Sequence, residues 1–337
     1  MKLAELAEKL GATLDGPGDL EIRGVSTLDE AGPDQLAFLA NPKYRRKLET
    51  TRAGAVILAP DEPWRGRAAL RAENPYLTFA KALEIFTPRP RPLASIHPTA
   101  VIAQTARLGR RPSIGPYTII EEGVEMGDDC VLKGHVVIYE GAKIGHRFYA
   151  HAHAVVRERA VIGDDVILQN GAVVGGDGFG FARQADGSYY KIAAAGTVVL
   201  EDGVEIQANA CIDRATLGAT RLRRGVKVDN LVQIGHSCDI GENSLLCGQA
   251  GLAGTCNVGK NVILTGQVGA AGHLTIGDNV IATAQTGIPH DVEPNRVISG
   301  SPAMDKELWL KCSAAFARLP EIFARLRKLE KSFGPDA

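Results

Sequence analysis

Apolar residues return at every sixth position from Ile96 to Val174: Ile96, Ile102, Leu108, Ile114, Ile120, Met126 and onward to Leu168 and Val174. The rhythm resumes at Leu222 and runs through Val228, Ile234, Ile240, Leu246 and Leu252 to Ile288. A period of six fits neither an α-helix, at about 3.6, nor an isolated strand, at about 2. It is the pattern of a solenoid of short strands and corners, a parallel β-helix built on hexapeptides. Four residues after each aliphatic stands a small or β-branched side chain, such as Thr118, Cys130, Val136, Val232 or Cys238, sized to fill a narrow interior. One residue after the aliphatic, glycine recurs, as at Gly109, Gly127, Gly235 and Gly241. These glycines predict tight corners with unusual dihedrals. Three hexads make one triangular coil of 18 residues, so residues eighteen apart become vertical neighbours ~4.8 Å apart.

The rhythm breaks twice. Neither the interval from Val174 to Leu200 nor that from Ile212 to Leu222 is a multiple of six. Both surplus stretches, near 176–197 and 213–221, are expected as loops thrown out from corners. An extra residue inside a rung would reverse the facing of everything after it. Loops on a regular scaffold are common carriers of function.

The flanks read differently. Residues 1 to about 86 lack the hexad and predict a small α+β domain, which with its linker occupies 1–92. Lys2–Leu10 reads as a helix stopped by Gly11. Glu21–Val25, Leu36–Leu39 and Ala53–Leu58 read as strands; Asn41–Thr50 and Pro75–Phe86 read as helices. Thr87–Pro92 is a stiff extended linker. The β-helix is expected over 93–303 and a helical extension over 304–337. In that extension Phe316, Leu319, Phe323, Leu326 and Leu329 recur at helical spacing, with a break at Pro320 and a basic face of Arg318, Arg325, Arg327, Lys328 and Lys331. Such a stripe packs either against copies of itself or back on its own coil.

With 337 residues, an apolar share of 45% and a net charge of −1, the chain has ample core. It carries no charge excess that would point to nucleic acid. No apolar run reaches the ~18 residues of a transmembrane segment, and the N-terminus reads as a polar amphipathic helix rather than a signal peptide, so a cytoplasmic location is expected. Cys130, Cys238 and Cys256 share the inward small position and are expected as reduced core residues. No metal-type CxxC occurs, and no bound metal is expected.

Candidate chemistry starts at His236, two residues after Ile234 and so outward-facing. Eighteen residues on, one coil above, stands Gly254. A base beside a backbone N–H with no side chain in the way can hold an oxyanion next to a proton acceptor. His273 comes two coils and one residue after His236, on the same side and ~10 Å up the axis. In the N-terminal unit, Phe38 and Tyr44 are placed to sandwich a planar base, with Asn41 at its edge. Core packing for Phe38 and a helix cap for Asn41 are the alternatives. His146, His151 and His153 form a cluster with a spacing similar to the metal sites of carbonic anhydrases built on this coil. A zinc site there needs three converging nitrogen ligands.

Several motifs coincide: FLANPKY, NPYLTFAK, GGDGFGFA, the IDR after Cys211, DNLVQIGH, AAGH and the final GSPA. Together they resemble the UDP-3-O-acylglucosamine N-acyltransferases of lipid A biosynthesis, over essentially the whole chain. The resemblance implies a left-handed β-helix, a homotrimer, and active sites in clefts between coils. It implies transfer of a 3-hydroxyacyl chain from the phosphopantetheine of acyl carrier protein to the 2-amino group of UDP-3-O-(3-hydroxyacyl)glucosamine, with no cofactor bound. His236 carries over as general base, Gly254 N–H as oxyanion donor and His273 as an assisting residue. Phe38 and Tyr44 carry over as the stack on uracil, with Asn41 at its edge, and the basic C-terminal helix as the surface for the acidic carrier protein. Asp229 carries over as orienter of His236, although seven residues amount to one wall plus one step. Either the ring meets that carboxylate across a corner or a subunit interface, or Asp229 serves the substrate. The alternatives are another hexapeptide acyltransferase of UDP-sugars, the carbonic anhydrase-like metal site, and a non-catalytic scaffold. The O-acyltransferase acting one step earlier would lack the N-terminal unit.

Overall fold

Residues eighteen apart pair as parallel strands: Glu125 with Lys143, Val131 with Tyr149, Val137 with Val155. The computed structural model describes residues 1–88, 93–301 and 303–333. Two units divide the chain, Met1–Arg91 and Pro92–Ala337. The linker expected at Thr87–Pro92 lies mostly outside the described residues, as does Pro302 of the closing GSPA.

In the second unit the described strands form three parallel sheets of ten, nine and eleven strands, the three walls of a β-helix. Most rungs are two residues long, and the second residue points inward: Met126, Leu132 and Ile138 are buried on three successive walls. The small positions Cys130, Val136 and Ala154 fill the space between them, giving one continuous core from Ile114 to Ile288. Cys130, Cys238 and Cys256 are buried free thiols, as expected. Burial pushes the Cys130 thiol up to about 11, so it is an unreactive core residue.

The recurrent glycines have a different cause from the one expected. Left-handed dihedrals fall two residues later in the hexad, at Asp129, His135, Ser237, Asn243 and Thr255 among others. Asn, Asp and His tolerate that region better than most side chains. Gly109 and Gly241 are needed for space, because a Cβ would lie 2.4 Å and 2.3 Å from the carbonyl carbon of the glycine one coil above.

Both insertions are absorbed at corners. Ile162 pairs with Leu200 and Leu200 with Leu222, so the register is kept across each. The first insertion carries an antiparallel hairpin, Phe181–Arg183 against Tyr189–Lys191. Its root is tied down by Arg214, which is 2% exposed. The Arg214 Nε donates to Gly175 O at 2.7 Å, and its Nη1 lies 2.8 Å from Glu158 Oε1. Burial pushes the Glu158 carboxyl up, but hydrogen bonds from Arg157 and the Arg214 charge prevail and hold it at about 2. A depressed carboxyl stabilises the fold fully above its ordinary range near 4.5, and that contribution fades as pH falls toward 2. Arg214→Met leaves Glu158 paired with Arg157 but removes the second cation beside the loop root. Urea unfolding at pH 7 is expected to register a loss of about 2 kcal/mol, the scale for a hydrogen bond to a charged group. The deficit is expected to shrink as acid neutralises Glu158.

The first unit is a five-stranded mixed sheet with β1 (Thr13–Asp15), β2 (Gly24–Val25), β3 (Gln35–Phe38), β4 (Ala55–Leu58) and β5 (Ala69–Arg71), in the order β1-β5-β4-β3-β2. Helices α1 (Leu3–Leu10) and α2 (Pro75–Phe86) accompany it. Leu3, Leu6, Ile22, Leu36, Ile57 and Leu70 form one core, and Leu28, Val56 and Leu58 belong to a second. The Asn41–Thr50 stretch is a 3-10 helix, Pro42–Glu49, rather than an α-helix. At the other end of the chain, α3 (Lys306–Phe316) and α4 (Leu319–Phe333) meet at Ala317–Arg318. The break therefore precedes Pro320, which sits in the first turn of α4, where a missing N–H costs nothing.

Candidate active site

His236 leaves the strand Gln233–Ile234 of the ten-stranded wall, and Ile234 pairs with Leu252 one coil above. The strand ends at the inward Ile234, and the corner after it brings His236 to the surface, where it is half-buried rather than in the core. Gly254 lies directly against its ring: a Cβ there would sit 2.5 Å from His236 Cε1 and Nε2. Gly178, from the GGDGFGFA insertion, closes on the ring from another side. A Cβ on Gly178 would sit 2.7 Å from His236 Cβ and 3.2 Å from its Cγ and Cδ2. Two glycines thus form a slot that holds the imidazole. Its Nδ1 lies 3.4 Å from Ser237 Oγ.

The backbone N–H of Gly254 has no capping side chain, unlike the equivalent group at several corners of the nine-stranded wall. At other corners the side chain one coil above accepts the equivalent N–H. Asp128 Oδ1 accepts from Arg110 N at 2.7 Å, Asp164 Oδ1 from His146 N at 2.8 Å, and Asp278 Oδ1 from Lys260 N at 2.8 Å. Above Gly254 the equivalent residue is Gly272, which has no side chain to offer. Among the described residues no acceptor takes the Gly254 N–H. An N–H of this kind beside an imidazole Nε2 is the geometry that receives a developing oxyanion. His273, exposed, stands one residue past Gly272, and its N–H donates to Gly254 O at 3.1 Å.

Asp229 directs its carboxylate to backbone. Its Oδ2 accepts from Gly248 N at 2.8 Å and its Oδ1 from Asn230 N at 2.7 Å. The carboxylate near His236 is instead Asp213, in the IDR motif, one residue past Ile212, which pairs with Ile234. Burial pushes the Asp213 carboxyl up, while the Gln233 amide and the His236 charge act against that rise. Sequence spacing missed Asp213, because the second insertion makes this coil 22 residues instead of 18. Subtracting the surplus four at 215–218 would have put Asp213 under Gly235, one residue before His236.

The histidine cluster serves other ends. His146 Nδ1 accepts from Asp128 N at 3.0 Å, a corner cap of the kind just described. His153 stacks on His135 with ring centroids 5.0 Å apart. Among the described residues no three His, Cys, Asp or Glu side chains are grouped to hold a metal ion, and no helix is long and apolar enough to cross a membrane.

In the first unit Phe38, Asn41 and Tyr44 line one cavity of about 630 Å³, together with Asp29, Lys47 and Tyr76. Phe38 stacks on Phe79 at 3.8 Å, which fixes its ring and commits one face. Tyr44 is 52% exposed, with Lys47 Nζ 5.1 Å above its ring. Asn41 is a cap after all: its Oδ1 accepts from Lys43 N at 3.0 Å, leaving Nδ2 as the group that can donate into the cavity. Tyr76, from NPYLTFAK, is the aromatic that spacing did not single out; its ring lies 6.0 Å from that of Phe38.

Comparison with known proteins gives the family of the chain. Residues 19–85 match the family model described as UDP-3-O-(3-hydroxymyristoyl) glucosamine N-acyltransferase, LpxD. The UDP-3-O-acylglucosamine N-acyltransferase 1 of Koribacter versatilis (strain Ellin345) is 61% identical over 98% of this chain and 98% of its own. The UDP-3-O-acylglucosamine N-acyltransferase of Thermosynechococcus vestitus is 56% identical over 99% of this chain and 100% of its own. Among solved structures, an Arabidopsis UDP-N-acetylglucosamine acyltransferase aligns at 22% identity with a TM-score of 0.55, covering 61% of this chain and 71% of that one. That likeness identifies the solenoid as a left-handed parallel β-helix. At such identity over nearly its full length, the chain belongs to the UDP-3-O-acylglucosamine N-acyltransferase family.

Proposed function

We propose that this protein transfers a 3-hydroxyacyl chain from the phosphopantetheine thioester of acyl carrier protein to the 2-amino group of UDP-3-O-(3-hydroxyacyl)glucosamine, a step of lipid A biosynthesis. The observation that carries the reading is the His236 imidazole lying over Gly254, whose N–H has no acceptor among the described residues. His236 takes a proton from the amine as its nitrogen attacks the thioester carbonyl. The carbonyl oxygen gains charge and is received by the Gly254 N–H. The attack forms the C–N bond; collapse of the tetrahedral intermediate re-forms the carbonyl and breaks the C–S bond, and His236 returns its proton to the departing pantetheine sulfur. His273, exposed one step beyond Gly272, assists from the same side of the coil.

Uridine recognition falls to the first unit, with uracil between Phe38 and Tyr44 and the Asn41 Nδ2 donating to a ring carbonyl. Base–aromatic stacking contributes about 1–3 kcal/mol, so Tyr44→Ala is expected to raise KM for the nucleotide about tenfold while kcat stays within twofold. Steady-state kinetics with the 3-O-acylated nucleotide checks this. The basic residues of α4 suit an acidic carrier protein, although Glu321 already pairs with Arg325 at 2.6 Å. Trp309, Phe316 and Phe323 are each more than half exposed, which suits association of α3 and α4 with those of further copies in a homotrimer.

The test is release of free thiol from a 3-hydroxyacyl carrier protein, followed with a thiol reagent across a panel of chain lengths. Thiol is expected to appear only when UDP-3-O-(3-hydroxyacyl)glucosamine is present. Release driven equally by UDP-N-acetylglucosamine, or by no nucleotide, would sink the proposal.

A further inference from the structure

Three carboxylates gather where the GGDGFGFA insertion meets the wall below His236, and two of them are matched by cations. Glu158 pairs with Arg214 and Arg157, at 2.8 Å and 2.7 Å. Asp177 pairs with Lys191 at 2.5 Å, with Arg157 at 3.9 Å. The third is Asp213. Arg214 follows it directly in sequence but turns away to Glu158 and Gly175 O. Among the described residues no Lys or Arg pairs with Asp213.

The backbone explains why Asp213 faces this way. Cys211 and Ile212 pair with Gln233 and Ile234, so Asp213 comes level with the exit of the strand that presents His236. On its other side a bulge sets Asp213 opposite Gly176, where a Cβ would lie 3.9 Å from Asp213 Oδ1. The same insertion places Gly178 on His236 two residues later. The groups facing His236 are thus Asp213 from the coil below, Ser237 beside it, Gly178 of the insertion and Gly254 above. Asp177 is close to Asp213, and His273 lies beyond Gly254. The positive charge that Asp213 meets is the one His236 acquires.

We propose that Asp213 is the positioning residue of His236, the carboxylate that favours the imidazolium formed once the base holds the amine proton. Asp229, by contrast, serves the backbone of the coil above. This role rests on the acyl-transfer reading for its catalytic meaning, but the charge relation between the two side chains does not. A nearby opposite charge favours the charged form of a base.

The experiment compares wild type with Asp213→Asn and Asp213→Glu. Diethyl pyrocarbonate modifies only the unprotonated imidazole, and peptide mass mapping reads His236 separately from the other histidines. At pH 6, His236 of Asp213→Asn is expected to label about threefold faster than in wild type, because fewer rings are protonated. At pH 8 the two are expected to label at equal rates, and Asp213→Glu to follow wild type at both. In turnover, Asp213→Asn is expected to lower kcat about tenfold with KM within twofold, and Asp213→Glu to recover most of the loss. Equal labelling at pH 6 overturns the proposal. So does labelling raised alike at both pH values, which would mean an opened site, or a loss that falls on KM alone. Should wild type make no N-acylated product, the acyl-transfer reading fails while the labelling comparison still decides the role of Asp213.

Discussion

Replacing His236 by alanine is expected to lower kcat by about 10²–10⁴-fold, the range contributed by a positioned general acid–base. The fold is expected to survive. His236 points outward from its coil and is absent from the continuous core, which beneath it is closed by Val232, Ile234 and Cys238. Truncation therefore empties a surface slot between Gly178 and Gly254 rather than a core cavity, so the melting temperature should move by no more than a few degrees. Turnover and a thermal melt on the same preparation check both halves. A scaffold role for the walls would leave turnover untouched.

The second large effect belongs to Gly254→Ala. A methyl group at that position would lie 2.5 Å from the Cε1 and Nε2 of His236, well inside contact distance. The ring cannot slide away freely, since Gly178 presses on its Cβ and Cδ2 from another side. The base and the N–H donor must then lose their mutual placement, and removing one oxyanion donor costs about 10²–10³ in kcat. Gly251→Ala is the control. It lies in the same coil, but a Cβ there meets nothing within 4 Å, so near-wild-type turnover is expected. Equal losses in both variants would mean that the coil, and not the slot, was damaged.

Much of this was legible in the chain because a β-helix is nearly one-dimensional. Once the hexad is read, Val131 must stand under Tyr149 and Ile234 under Leu252, and the partnership of His236 with Gly254 follows from a difference of eighteen. What the period could not supply are the places where sequence spacing and height diverge. Asp213 stayed hidden because four inserted residues separate it from its column. Gly178 stayed hidden because its approach depends on how a twenty-residue insertion folds back. The recurrent glycines were assigned to strained dihedrals, whereas the next coil's backbone excludes a Cβ from them.

The N-terminal unit was less readable for a different reason. β1 and β5 are three residues each, too short for alternation to register, while β4, buried on both faces, gives the unbroken apolar run Ala55–Leu58. Asn41 illustrates the limit of residue chemistry without geometry. The same amide suits a base edge and a helix start, and the structure commits its oxygen to Lys43 N.

The most direct measurement identifies the atom that receives the acyl chain. Wild type, with 3-hydroxyacyl carrier protein and UDP-3-O-acylglucosamine, is expected to yield a product whose tandem mass spectrum places the new chain on the 2-amino nitrogen. His236→Ala is expected to yield almost none in the same interval. A new ester on a sugar oxygen, or equal yields from the two proteins, would contradict His236 and Gly254 as the centre of amide formation.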